Sequence, residues 1–263
     1  MSAPPKPRSR RARIVRGLFV ALLGLVALLG IGLAIVHEPR PETGRTGEAA
    51  DALARRIEAA VDVRAWEHTG AVRWTFAGQN RHLWDRERGF DRVEWGENVV
   101  LLRVDERTGR AYVSGREVEG AEADALIEDA YARFINDSFW LNPLAKLRDD
   151  GVTLSVVDVD GGEEALLVSY ASGGLTPGDA YLFRVGEDGT PTAWRLWVSV
   201  IPIGGLEIGW DGWITLATGA RVSTRHPAIL GLALEMTDVR GEARLNDLIE
   251  GPDPFDPLGG GED

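Results

Sequence analysis

Past residue 70 the chain settles into a two-residue rhythm, and that rhythm constrains the fold more than any other feature. Val72, Trp74 and Phe76 alternate with Arg73 and Thr75, and Val93 and Trp95 flank Glu94. Successive side chains of a strand point to opposite faces, so this alternation marks half-buried strands. Four or five such segments fit between residues 70 and 113, punctuated by Gly78-Gln79-Asn80, Arg88-Gly89 and Arg107-Thr108-Gly109. Further segments fall at 152–158, 165–170, 180–185, 193–201, 206–210, 213–217 and 230–239, with Gly161-Gly162, Gly173-Gly174 and Glu187-Asp188-Gly189 as turns. About ten short strands joined by tight turns predict an antiparallel meander, because parallel neighbours need a crossover between each pair.

Helical spacing is confined to two places in this part of the chain. Ala49, Ala50, Leu53, Ile57, Ala60 and Val61 form one apolar stripe behind Thr46, a residue suited to cap it. Leu126, Ile127, Ala130, Tyr131, Phe134 and Ile135 form a second, opposite Glu122, Asp124, Glu128 and Asp129. The second helix is expected to give way at Asn136-Asp137-Ser138 to an aromatic loop, Phe139-Trp140-Leu141, ahead of Asn142-Pro143-Leu144. A single broad sheet with one internal helix must curl round it to bury a face. The expected fold class is therefore α+β: a strongly curved antiparallel sheet of about ten strands, a half-barrel wrapped around a central helix.

Upstream, residues 17–36 form a charge-free run of twenty, preceded by Lys6, Arg8, Arg10, Arg11, Arg13 and Arg16. At about 1.5 Å per residue such a helix crosses a hydrocarbon layer of roughly 30 Å. Basic residues beside a span stay inside, so 1–16 read as a cytoplasmic arm, 17–36 as an N-terminal transmembrane helix and the rest as external. The alternative is a cleaved secretory signal, with Gly32-Leu33-Ala34 as a weak site. Signal cores run only about 7–15 apolar residues, which favours a retained anchor. Residues 37–47, rich in Pro, Gly and charge, read as a tether lifting a 48–250 domain off the bilayer, and 251–263 as a disordered tail. With no cysteine, lipidation on a thiol, disulfides and thiolate metal sites are all excluded.

Charge narrows the partners. Residues 37–263 carry 23 basic against 41 acidic side chains, a net of −18 that repels phosphate backbones and anionic headgroups. Nucleic acid is excluded as a partner on this ground. No enzyme motif stands out and no cofactor is expected. Asp85, Glu87 and Asp91 lie near His82, but Asp85 and Glu87 alternate to the opposite strand face, so no shared site is expected. No histidine pair has ligand spacing, Ser114 and Ser169 lack a nucleophile elbow, and Tyr170-Ala171-Ser172-Gly173-Gly174 lacks the lysine and helix of a phosphate loop. Ile203-Gly204-Gly205 and Gly209-Trp210-Asp211-Gly212-Trp213 read equally as tight hairpins or as a docking edge for a protein partner.

The order of elements carries a resemblance. A helix ending near Trp66 is followed by paired strands and by a helix closing on Phe134-Ile135-Asn136-Asp137-Ser138-Phe139-Trp140. Ala180-Tyr181-Leu182-Phe183-Arg184-Val185 and then Pro191-Thr192-Ala193-Trp194-Arg195-Leu196 complete the pattern. Over residues 48–240 this resembles the bacterial lipoprotein-sorting carrier superfamily. The resemblance implies a curved sheet around a helix with an apolar cavity for acyl chains or another greasy ligand; with the span at 17–36 the expected location is the bacterial inner membrane, the main domain periplasmic. The chain departs in its anchor, and no residue gripping a lipidated cysteine can be carried over. Trp74, Phe76, Trp84, Trp95, Phe134, Phe139, Trp140, Leu144, Tyr181, Phe183 and Trp197 are the expected cavity lining. Phe139 and Trp140 serve as a lid over the cavity or as a plug closing it. The expected function is to hold a lipid or other hydrophobic small molecule. The alternative is a sensor or protein-interaction module with a filled core.

Overall fold

The computed structural model describes residues 37–259 apart from 43, 173–176 and 202. The chain begins with a helix pair, α1 (Glu48–Val61) and α2 (Val63–Glu67), followed by β1 (Ala71–Phe76), β2 (Asn80–Asp85), β3 (Phe90–Trp95), β4 (Asn98–Arg103), β5 (Thr108–Val113) and β6 (Arg116–Val118). The long helix α3 (Ala121–Leu141) leads to β7 (Val152–Val159), β8 (Glu163–Tyr170), β9 (Ala180–Val185) and β10 (Pro191–Trp197). Strands β11 (Leu206–Gly209), β12 (Asp211–Thr215), β13 (Arg221–Pro227) and β14 (Ala233–Glu242) precede a single turn, α4 (Leu245–Leu248). The class is α+β and the pairing is antiparallel, as the short strands and tight turns predict. The expected single sheet is instead two: nine strands in the order β12-β13-β14-β1-β2-β3-β4-β5-β6, and five in the order β11-β10-β9-β8-β7.

Trp210 is where the chain changes sheets. Its amide donates to the Thr192 carbonyl at 2.8 Å, extending the β10–β11 ladder by one residue, and Asp211 next to it already faces Arg225 on β13. One continuous stretch thus belongs to both layers, which lets hairpin connections build two sheets. Strand β13, read as Arg-Val-Ser-Thr-Arg-His-Pro, was not expected, because two of its three buried residues, Ser223 and His226, are polar and only Val222 is apolar.

Helix α3 explains how the layers share a core. Its 21 residues make it about 31 Å long. It touches β5 near one edge of the nine-stranded sheet and β13 near the other, a span of six strand spacings or roughly 29 Å. Lying across the strands, it delivers its final turn to the second layer. Phe139 and Trp140 sit in that turn and not in a loop. The polar triplet Asn136-Asp137-Ser138 does not stop the helix, because the Asp137 carboxylate is engaged by buried side chains of β2 and does not compete for its own backbone. Meanwhile α1 packs its apolar stripe on β7 and β8. Its N-cap is Gly47, entered at a φ of 72° that favours glycine, so Thr46 stands one residue too early to cap.

Both ends of the domain are longer than expected. Residues 37–42 and 44–47 do not hang free but are tied to the five-stranded sheet at Glu38, Arg40 and Arg45. Glu38 pairs with Gly204, Arg40 reaches Ser169 and the Gly178 carbonyl, and Arg45 bridges to Val156 on the edge strand β7. At the other end, 251–259 is ordered. Phe255 is buried against Phe90, and Arg88 holds Asp253 at 2.7 Å. The arm, the 17–36 span and residues 260–263 lie outside the described residues. Among the described residues no helix is long and apolar enough to cross a membrane.

Candidate functional site

The expected cavity lining divides between the layers. Trp74, Phe76 and Phe134 are buried in the nine-stranded layer, with Trp84 and Trp95 packed against them. Leu144, Tyr181 and Phe183 are buried in the five-stranded layer, with Phe139 beside them. Trp140 packs against both. Trp197 projects from the opposite face of the five-stranded sheet, beside Ala165, Leu167, Ala180 and Leu182. The eleven side chains are thus brought into three packed groups and not around one hollow.

Where α3 ends, the rings converge on Trp194, which sequence reasoning had placed only in a motif. Trp140 meets it edge-on at 4.9 Å, Phe139 stacks on it at 6.1 Å, and Tyr181, Phe183 and Trp210 approach at 5.0, 5.4 and 5.2 Å. Such offset and edge-on pairs each add about 0.5–1.5 kcal/mol beyond area burial. Trp210, whose setting suggested exposure in a docking edge, is buried here. So is His226, ringed by Trp140 and Trp210 at 5.3 and 5.1 Å. Neither of its ring nitrogens has a well-formed hydrogen bond. Burial drives its pKa down to about 4, against a weaker pull from the Gly209 backbone. The imidazole is therefore neutral at pH 7.

Strand β2, three strands further into the nine-stranded sheet than the β13 of His226, holds the opposite case. His82 Nδ1 bonds Asp91 at 2.8 Å and Nε2 bonds Asp137 of α3 at 2.9 Å, all three groups being buried. Asn80 donates to Asp137 at 2.7 Å and is itself held by Arg133 at 2.8 Å. The imidazole lies flat on Trp74, 4.3 Å between centroids. Burial alone would depress its pKa. The attraction of Asp91 and the hydrogen bonds to both carboxylates outweigh that and push it up to about 9. Burial also raises the Asp91 carboxyl, against the pull of His82. A shared His82–Asp91 site was not expected. Register decides it: His82 pairs with Val93, which puts Asp91 on the same face two residues along.

Two depressions of the described surface lie near the expected site residues. One, of about 340 Å³, is an open groove lined by His37, Pro177, Trp197, Val198 and Ile201. The other, of about 190 Å³, lies among Arg73, Arg81, Arg92, Glu94 and Asp238. Neither is lined by Trp194 or His226, and the second reaches His82 only where that imidazole is covered. Among the described residues no cluster of His, Asp or Glu is arranged to hold a metal ion. The ionic triad holds buried charge and ties α3 to β2 and β3.

Together these features define a two-sheet antiparallel α+β domain with a helix laid across its larger sheet. No family model matches the sequence, and no curated protein does. Among solved structures, the crystal structure of a DUF1329 family protein from Desulfovibrio piger ATCC 29098 is similar over 73% of this chain and 93% of that one. Identity is 10% and the TM-score 0.35.

Proposed function

We propose that this chain is an extracytoplasmic, non-catalytic binding module, held to a bacterial inner membrane by residues 17–36, that works through its surface and keeps a filled core. The observation that supports this reading is the division of the expected cavity lining into packed groups, with the last turn of α3 driven between the layers as a plug. In this reading the nine-stranded sheet with α3 across it is the counterpart of the half-barrel around a helix, and side chains occupy the space a cargo would need. Its acidic surface suits a protein partner better than an anionic one.

The carrier reading retains one favourable observation, the groove beside Trp197, whose volume falls in the range of small-molecule sites. Titration of the full chain in nanodiscs with a fluorescent fatty acid separates the two. The filled-core reading expects no saturable one-to-one uptake. It also expects Trp140→Ala to destabilise the fold by about 3 kcal/mol, the low end for a large aromatic because Trp140 is half-buried. Stoichiometric uptake that weakens in Trp140→Ala or Trp197→Ala, with the melting temperature unchanged, would install the carrier reading instead.

A further inference from the structure

The largest exposed apolar side chains gather where the chain enters the domain. Val200, Ile229 and Leu232 are 75%, 58% and 66% exposed, and they are the large hydrophobics that stand out among the described residues. Val200 lies in the β10–β11 connection. His37 and Glu38 are bonded to that same connection: the Gly204 amide donates to His37 Nδ1 at 3.0 Å, the Glu38 amide donates to the Gly204 carbonyl at 2.9 Å, and Trp197 Nε1 donates to the Glu38 carbonyl at 2.8 Å. The glycines are needed for this fit. A Cβ on Gly205, where φ is +79°, would stand 2.4 Å from the Glu38 Cβ.

Ile229 and Leu232 share that end by topology. β12 pairs antiparallel with β13, and β11 leads directly into β12, so the start of β11 and the residues after β13 point the same way. Pro227 packs against Gly209, fixing the two side by side. Both connections are also unusual in composition. In an external chain with a net charge of −18, residues 198–205 and 228–234 contain no charged side chain. The acid that follows His37 is compensated, since Arg195 holds the Glu38 carboxylate at 2.8 Å.

His37 directly follows the charge-free run, and one extended residue spans at most about 3.6 Å. We infer that this end is a membrane-docking surface: Val200, Ile229 and Leu232 enter the headgroup boundary of the bilayer that residues 17–36 cross, seating the domain on the membrane. This rests on the anchored reading proposed above, and it replaces the free tether with a fixed orientation. The remaining, acidic surface is held away from the lipid and left open to a partner. Neutral lipid is the fitting occupant, because the connections offer apolar contact and no cation for an anionic headgroup.

The cysteine-free chain makes the test direct. Full-length protein carrying Val200→Cys, Ile229→Cys or, as a reference, Glu187→Cys is labelled with an environment-sensitive dye and reconstituted in phosphatidylcholine vesicles. Glu187 is exposed in the β9–β10 turn, at the opposite end of the five-stranded sheet. Docking requires the dyes at 200 and 229 to be quenched by spin-labelled lipid while the dye at 187 is not. Adding Val200→Asp to the 229 label lowers the docking constant, read as the ratio of quenched to unquenched dye, about tenfold, the loss of one buried valine. Dyes at 200 and 229 as open to aqueous iodide as the one at 187 would overturn the inference. So would shielding from iodide without lipid quenching, which means a protein covers this end. Alkaline extraction of the same vesicles reports the anchor separately: protein retained without quenching sinks the docking alone, and protein extracted despite quenching sinks the span alone.

Discussion

Two buried histidines, both carried by the nine-stranded sheet but facing different neighbours, have met opposite fates. His82 lies between two carboxylates and on the face of Trp74, and it carries a proton to about pH 9. His226 lies among three tryptophans and gives its proton up near pH 4. Burial is common to both, so burial does not decide the charge. The partners decide it. The difference also separates two parts of one sheet. At β2 the sheet keeps a cation between two carboxylates, whereas at β13, near its edge, it packs an imidazole as an aromatic ring against the cluster it shares with the five-stranded layer.

The comparison breaks most visibly at His82. His82→Leu leaves Asp91 and Asp137 facing each other in a buried site with no cation between them. Removing one partner of a buried ionic group costs about 3–5 kcal/mol. Urea denaturation should show that loss, with the midpoint moving far more than the slope. A change below about 1 kcal/mol would mean that the carboxylates take up protons or water at no cost, and that the triad does not organise this part of the sheet.

A pH series sharpens the same contrast. The folded pKa of His82 is raised, so its contribution is fully present below about pH 6.5 and is lost as pH rises through about 9, amounting to something on the order of 3 kcal/mol. The folded pKa of His226 is lowered, so the unfolded chain binds the extra proton. Its contribution is full above about pH 6.5 and is lost as pH falls through about 4. Asp91, raised from 3.8, loses stability as pH rises from there and so softens the acid limb. Melting temperature should therefore peak near pH 6.5. Removing His82 should flatten the alkaline limb and removing His226 the acid one, as differential scanning measurements across the range can check.

These sites were legible in the sequence to different degrees, and for physical reasons. Strand β1 and the end of β3 announce themselves because apolar and polar residues alternate, whereas β4 runs apolar because Leu101 is buried on the face opposite Val100 and Leu102. β13 shows neither pattern, since its arginines and its serine and threonine dilute the signal and the histidine it buries looks polar. Asp137 resembles a helix breaker until its carboxylate is seen to be bound by residues 55 and 57 positions earlier. The His82–Asp91 contact needs strand register, and register depends on the length of the β2–β3 turn as much as on the residues themselves. The two sheets were hidden because the change between them occurs inside Gly209-Trp210-Asp211-Gly212-Trp213, a segment whose composition reads as a turn.

His226→Leu gives the smallest expected effect and the most discriminating one. Both ring nitrogens lack well-formed hydrogen bonds, so the weak pull of the Gly209 backbone offsets only part of their desolvation. Leucine removes those polar atoms and keeps apolar contact with Trp140 and Trp210, though it gives up ring-on-ring geometry worth about 0.5–1.5 kcal/mol per pair. The opposing terms leave a net change within about 1 kcal/mol of zero at pH 7, and a gain at pH 5, where the wild-type histidine is penalised. Equal losses for His226→Leu and His82→Leu would end the contrast, because His226 would then be tied to a polar partner, a bound water or a ligand group, within the aromatic cluster. Trp194 Nε1, Trp210 Nε1 and the Tyr170 hydroxyl are buried without partners in the same cluster, so they are the groups whose hydrogen exchange should change in that event.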